Sequence, residues 1–232
     1  MELAVILAGA GEGRRMEGLG PKLLLDLDGR TLLERAVLPF LAHPSVGEIV
    51  AVVPDAMIGA AKDALGRVPR ERVVGARAVA GGATRRESVR LGLDAIATQA
   101  AYVAVHDVAR PLVTVALIDR VLAAARAHGA AIPATPLRDT VKEVSADRVV
   151  RTVPREGLQG AQTPQIFSRA ILARAHTEGQ GSTDATDDAA LVEAIGFTVA
   201  VVAGEPTNVK ITDPSDLIVA RALIQSGLGK RS

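Results

Sequence analysis

The chain of 232 residues has no cysteine and no tryptophan, and its one tyrosine and three phenylalanines bring aromatics to 2%. Without cysteine there are no disulfides, thiolate metal sites or thiol nucleophiles, which agrees with a reducing, cytoplasmic setting. So few aromatics exclude the rows of stacked rings on which single-stranded nucleic acid is held. Charge of one sign is lacking as well: 27 Lys and Arg stand against 26 Asp and Glu, a formal +1, so nucleic acid finds no basic face. No apolar run approaches the ~18 residues of a membrane span. The first seven residues read as a strand, with no basic leader or cleavage site, and so not as a signal peptide.

What is present is aliphatic. With 48% hydrophobic residues the chain can build an Ala, Val, Leu and Ile core, and residues 1–232 are expected to form one domain. Apolar runs of strand length lie at 3–7, 49–53, 78–80, 102–105, 130–134 and 198–202. Helical patterns alternate with them. Thr31-x-x-Glu34 and Thr84-x-x-Glu87 each look like a capping box. The first opens a helix with Leu33, Val37, Phe40 and Leu41 on one face, and the second a helix through Ile96. Further helices are expected at 56–65, 117–127, 164–175, 187–195 and 214–224, and a short extended piece at 23–27, closed by Asp28-Gly29. Such alternation predicts an α/β fold: a Rossmann-like, doubly wound, mostly parallel sheet with helices on both faces.

Residues 137–155 break that rhythm. They are polar and turn-rich, with Val141, Val144, Val149 and Val153 spaced as on an extended β-arm. Those valines need a cover, and a second copy of the chain is the simple one. The arm therefore points to a homodimer.

In doubly wound sheets ligands sit beyond the carboxyl ends of the strands, which singles out the segments 8–22, 80–88 and 106–111. In the first, Gly9, Gly11 and Gly13 let backbone N–H groups approach an anion, although a tight βα turn needs glycines too. Their G-x-G-x-G spacing meets neither the dinucleotide fingerprint nor the P-loop pattern. Arg14, Arg15 and Lys22 on the same segment suit a triphosphate, since Arg offers a planar fork and Lys a movable point charge. As a pair, the arginines read equally as a solvated surface. Asp107, at the end of an apolar strand, is a natural Mg²⁺ ligand beside phosphates, or a turn cap. His106 next to it reads as a packing or hydrogen-bonding residue, because a phosphate nucleophile is already ionised and needs no base. Ser88 divides between a nucleotide contact and a plain helical serine. Of Arg85 and Arg86, Arg85 is expected to point inward.

Taken together the segments are specific. The run Leu7-Ala8-Gly9-Ala10-Gly11-Glu12-Gly13-Arg14-Arg15-Met16, then Pro21-Lys22, resembles the signature of nucleotidylyltransferases for sugar nucleotides and polyol phosphates. Further segments are Gly81-Gly82-Ala83-Thr84-Arg85-Arg86-Glu87-Ser88-Val89, Val105-His106-Asp107-Val108-Ala109-Arg110-Pro111, Arg138-Asp139-Thr140-Val141-Lys142 and Gln162-Thr163-Pro164-Gln165. With Thr186-Asp187-Asp188 and Asn208-Val209-Lys210-Ile211-Thr212 they resemble, in order over about residues 3–225, the methylerythritol phosphate cytidylyltransferases of non-mevalonate isoprenoid synthesis.

The resemblance implies transfer of CMP from CTP to a small polyol phosphate with Mg²⁺ and release of pyrophosphate. Ala8, Gly9, Ala10, Gly11 and Gly13 would wrap the triphosphate. Arg15 and Lys22 would stabilise charge at the α-phosphorus, and Lys210 would reach the phosphates. Gly81, Gly82 and Ser88 would hold the cytidine end. Asp107 would meet the phosphate-bound metal, and Arg110 would brace the acceptor pocket. Thr140 and Arg155 would hold the acceptor phosphate from a neighbouring subunit's arm, with Thr163 and Thr186 also on the acceptor side. The family often has an acidic residue where this chain has Ala83, so a side-chain contact from that position is lost. A cytidylyltransferase for ribitol 5-phosphate or another small polyol phosphate is the near alternative. A nicotinamide-dependent oxidoreductase is disfavoured by the loop spacing. A catalytically silent nucleotide sensor is disfavoured by the intact set of Arg15, Lys22, Asp107 and Lys210.

Overall fold

The computed structural model describes residues 1–10, 21–68, 75–178 and 186–228. In chain order the elements are β1 (Leu3–Ala8), α1 (Leu32–Ala42), β2 (Val46–Val53), α2 (Ile58–Arg67), β3 (Gly75–Ala80), α3 (Arg85–Asp94), β4 (Tyr102–Asp107), α4 (Val115–His128) and β5 (Ala130–Pro136). There follow β6 (Val141–Ser145), β7 (Arg148–Val153), β8 (Gln159–Ala161), β9 (Gln165–Ser168), α5 (Arg169–Glu178), α6 (Asp188–Ala194), β10 (Ala200–Ala203) and α7 (Pro214–Gln225). The main sheet runs β10-β5-β9-β4-β1-β2-β3, with β8 paired to β5. The pairs β4-β1, β1-β2, β2-β3 and β10-β5 are parallel, whereas β9 runs antiparallel to both β4 and β5.

Strands covered on both faces read as continuous apolar runs, and β1 shows why. Leu3, Val5 and Leu7 enter one core cluster with α1, α2, α4 and α7, while Ala4 and Ile6 enter the other with α3, α5 and α6. Helix α1 begins at a complete capping box: Thr31 Oγ1 accepts from Glu34 N at 3.2 Å, and Glu34 Oε2 accepts from Thr31 N at 2.7 Å. Its Leu33, Val37 and Phe40 are fully buried, each worth about 1.5–3 kcal/mol against exposure. Pro39 lies inside α1 without ending it.

Three expectations are corrected. The box at α3 is half made: Thr84 accepts from Glu87 N at 3.1 Å, but the Glu87 carboxylate turns to Ala83 N at 2.9 Å, and the helix stops at Asp94. Residues 23–27 are not an extended piece. Lys22–Leu24 form a 3₁₀ turn after Pro21, and a bridge between Asp26 and Thr31 closes over Asp28 and Gly29 (φ 57° and 77°). Burial of Leu23 and Leu27 in the core, not strand pairing, sets that path. Finally, the helix expected from 164 begins only at Arg169, because Gln165–Ser168 form β9. Gln-Ile-Phe-Ser is short enough to read either way, and the gap between β4 and β5 decides it as a strand.

The arm is a two-stranded hairpin, β6-β7, turned through Ala146 and Asp147 at positive φ. This is the usual two-residue turn for twisted strands. Val144 and Val149 pair across it and are 58% and 61% exposed. No helix among the described residues is long and apolar enough to cross a membrane.

Candidate functional site

The chain leaves β1 toward β2 and β3 on one side and returns as β4 on the other. The loops after β1 and β4 therefore diverge, which opens the crevice where such sheets bind ligands. Ala8 and Asp107, the last residues of β1 and β4, are partners in the parallel register. Around them lies a cleft of about 270 Å³, lined among others by Ala8, Gly9, Ala10, Lys22, Gly82, Arg85, Ser88, Asp107 and Lys210.

Glycine is required where the two glycine turns meet. A Cβ on Gly81 would lie 2.4 Å from Ala10 Cβ, so its absence lets the turn after β3 pack on the loop after β1. The N–H groups of that turn are all used within the protein. Gly81 donates to Val53 O at 2.8 Å, Gly82 to Ser88 Oγ at 3.1 Å and Ala83 to Glu87 Oε2 at 2.9 Å. Ser88 also donates to Thr84 O at 2.8 Å. Ser88 thus lines the cleft with its hydroxyl committed to shaping the turn.

Asp107 is the electrostatic centre. Its Oδ2 lies 2.7 Å from Lys210 Nζ, and its Oδ1 3.7 Å from Arg85 Nη2. Burial alone would raise its pKa, but the Lys210 ammonium and the Arg85 guanidinium hold it below the ordinary carboxylate value. Asp107 is thus ionised at neutral pH. His106 behind it is fully buried, and burial pushes its pKa down to about 4, so it is neutral. Its Nε2 bonds Arg110 O at 3.1 Å and its Nδ1 the Thr163 hydroxyl at 3.0 Å, a packing and hydrogen-bonding role.

Thr163 was expected to touch substrate, but it is buried behind Asp107. Because β9 runs antiparallel to β4 with Gln165 opposite Val105, Thr163 comes to lie beside Asp107 and accepts from its N–H at 3.1 Å. Arg110 likewise braces and does not line the cleft. It donates to Asn208 O at 2.8 Å and Ala161 O at 3.2 Å. Buried Asn208 donates to Thr163 O at 2.8 Å, and Ile211 N donates to Ala109 O at 2.8 Å, which pins the segment carrying Lys210. Asn208 and Gln162 lie in the motif segments without a role legible from the sequence. Their side-chain roles depend on partners 43 to 46 residues away.

The remaining site residues divide. Gly11, Gly13, Arg14 and Arg15 lie outside the described residues. Thr140, Arg155 and Thr186 are exposed and are not among the residues lining the cleft; Arg155 donates to Arg138 O at the root of the arm. Arg85 does point inward, pairing with Asp188 at 2.7 Å. No group of three or more His, Cys, Asp or Glu that could hold a metal ion occurs among the described residues. Asp107 can supply one carboxylate, and that suits Mg²⁺, which is commonly held by one or two carboxylates together with substrate phosphates.

A polyanion entering this crevice meets Lys22, Arg85 and Lys210 around a single carboxylate. In an α/β fold, such a crevice suits the phosphates on which a nucleotidyl-transferring enzyme acts. The family model described as 2-C-methyl-D-erythritol 4-phosphate cytidylyltransferase matches residues 3–226, and the chain belongs to that family. It is 43% identical over 224 residues to the Frankia casuarinae protein of that name, covering 96% of this chain and 81% of the relative. The crystal structure of 2-C-methyl-D-erythritol 4-phosphate cytidylyltransferase from Thermus thermophilus superposes with a TM-score of 0.79 at 40% identity, covering 97% of this chain and 100% of that one. The 4-diphosphocytidyl-2C-methyl-D-erythritol synthase structure from Anaerococcus prevotii gives a TM-score of 0.82 at 31% identity, over 97% and 98% of the two chains. The chain is accordingly a cytidylyltransferase, and enzymes of this family typically use a divalent metal ion.

Proposed function

We propose that the protein transfers CMP from CTP to 2-C-methyl-D-erythritol 4-phosphate, giving the CDP-methylerythritol intermediate and pyrophosphate. The observation that carries this reading is the Asp107–Lys210 pair at the end of β4, set in the switch-point crevice of a chain of this family. The acceptor's phosphate oxygen attacks the α-phosphorus in line and pyrophosphate leaves. Such a displacement needs positioning and charge stabilisation more than covalent help. Arg15 and Lys22 would stabilise the charge that builds at the α-phosphorus. Lys210 moves from Asp107 to the phosphates, for which its long, half-exposed stem is suited. Asp107 would be the residue to hold Mg²⁺ together with the triphosphate, and the ion would supply charge neutralisation on the phosphates.

Cytosine is read by the turn at 81–83. With its N–H groups donated to protein acceptors, that turn has chiefly carbonyls to offer, which favours the amino group of cytosine over the oxygen of uracil. This replaces the side-chain contact that Ala83 cannot make. The acceptor phosphate is held by Thr140 and Arg155 of a second copy, whose hairpin also covers Val144 and Val149. Residues 1–232 then act as one nucleotidylyltransferase domain with the arm inserted, as a cytoplasmic homodimer without nucleic-acid or membrane partners.

The test is incubation with Mg²⁺, CTP and 2-C-methyl-D-erythritol 4-phosphate, assayed for pyrophosphate, with UTP and ribitol 5-phosphate in parallel arms. Pyrophosphate release preferring CTP and methylerythritol phosphate is expected. Faster turnover of ribitol 5-phosphate would overturn the acceptor assignment. Sedimentation of the active enzyme checks the arm, and a fully active monomer would refute its role.

A further inference from the structure

Arg85 is held by a carboxylate that neither the strand ends nor the glycine turns supply. Asp188, the first residue of α6, is fully buried with both oxygens engaged. Its Oδ2 accepts from Arg85 Nη1 at 2.7 Å, and its Oδ1 meets His176 Nε2 at 3.1 Å. The other terminal nitrogen of Arg85 lies 3.7 Å from Asp107. One guanidinium thus spans two carboxylates, a buried one behind it and the cleft carboxylate in front. A guanidinium is a rigid planar fork, so fixing Nη1 also fixes where Nη2 points.

Asp188 is itself held from two sides. His176 on α5 secures one oxygen. The turn that carries Asp188 is clamped to β9 by Gln165, which donates to Asp187 Oδ2 at 2.6 Å and accepts from Ala189 N at 3.1 Å. The charges matter as well. If Lys210 leaves Asp107 for the phosphates, Arg85 is the nearest cation left to it among the described residues, with Arg110 acting from farther off. An Arg85 without its own counter-charge would then close on Asp107 and occupy the oxygens that the metal–triphosphate needs. With Asp188 behind it, the guanidinium is already neutralised and stays 3.7 Å away.

We propose that Asp188 is a positioning residue for nucleotide binding: it holds Arg85 on the cleft wall, where the guanidinium meets the triphosphate, and back from Asp107, which keeps the Asp107 carboxylate accessible to that metal-bound triphosphate. The inference rests on the proposed nucleotide reading. Wild type, Asp188→Asn, Arg85→Gln and the double variant would be compared by calorimetric binding of CTP with Mg²⁺ in the absence of acceptor, alongside kcat, KM for CTP and Tm. Each single variant is expected to weaken Mg²⁺–CTP binding about tenfold or more, as is usual when the outer partner of a binding group is lost. Because Asp188 acts through Arg85, the double variant is expected to bind no more weakly than Arg85→Gln alone.

Asp188→Asn with wild-type affinity, or losses that simply add in the double variant, would overturn the inference. A fall in Tm alone, with CTP binding intact in the folded protein, would do the same. Should Asp188→Asn fail to fold, Arg85→Gln decides, since CTP affinity within about twofold of wild type there removes the basis for Asp188's role. A wild type that binds CTP but releases no pyrophosphate with methylerythritol phosphate refutes the transfer reading and leaves this inference standing.

Discussion

Two buried carboxylates stand at opposite ends of the central sheet. Glu48, near the start of β2, accepts from Ala97 N at 3.0 Å and Thr98 N at 2.8 Å, and pairs with Arg77 at 2.7 Å. Asp107, at the end of β4, faces the side chains of Lys210 and Arg85. Burial would raise the pKa of both, and in both the surroundings overcome it and hold the carboxylate below its ordinary value. The difference lies in the donors. Backbone N–H groups fixed in a turn cannot follow a ligand, so Glu48 fastens the loop before β4. An ammonium on a four-carbon stem can leave, so Asp107 can exchange partners. A lowered pKa therefore does not by itself separate a structural carboxylate from one poised for chemistry; the mobility of the compensating charges does.

Substitutions at the two ends test this contrast. The largest effect is expected for Asp107→Asn: a fall in kcat on the order of 10²–10³-fold, the usual scale for losing one preorganised electrostatic group. Its urea midpoint should stay near that of wild type, and a collapse of folding would erase the distinction from Glu48. Lys210→Met should follow, with turnover lowered by about 10²-fold and stability little changed.

Glu48→Gln should behave in the opposite way. Its amide cannot serve both backbone donors as a carboxylate does, and a loss of about 1.5–3 kcal/mol by urea unfolding is expected, with kcat unchanged. The pH dependence sharpens this. A carboxylate whose folded pKa is depressed contributes stability above its unfolded pKa and loses it as pH falls through the folded value. The stability gap between wild type and Glu48→Gln should therefore be full at neutral pH and close below about pH 4.5. A gap that does not narrow at all as pH falls below 4.5 would mean the charge is not its source. The smallest effect is expected for Arg77→Met. That guanidinium is half exposed, and its loss should cost about 1 kcal/mol or less in the same urea assay, without touching turnover.

Much of the molecule was legible because it is locally encoded. The buried run of β1, the Thr31–Glu34 box, the glycines after β1 and the carboxylate at the end of β4 each lie within a few residues, where periodicity and capping chemistry act. The same local reading failed at 164–168. There Gln-Ile-Phe-Ser has no periodicity of its own, and the space between β4 and β5 made it a strand. The burial of Thr163 was not legible for the same reason, since its position behind Asp107 follows from the antiparallel register of β9.

The sequence alone determined the two-faced aliphatic sheet, the glycines and charged residues at its carboxyl edge and the exposed valines of the arm, since composition and short spacings specify those. Tertiary structure decided which charges meet. Thr163 reaches His106 across 57 positions, and Asp188 reaches Arg85 across 103. Such pairs depend on how strands order and helices dock, and a hydrogen bond only a few ångströms long leaves no mark on the spacing of residues so far apart.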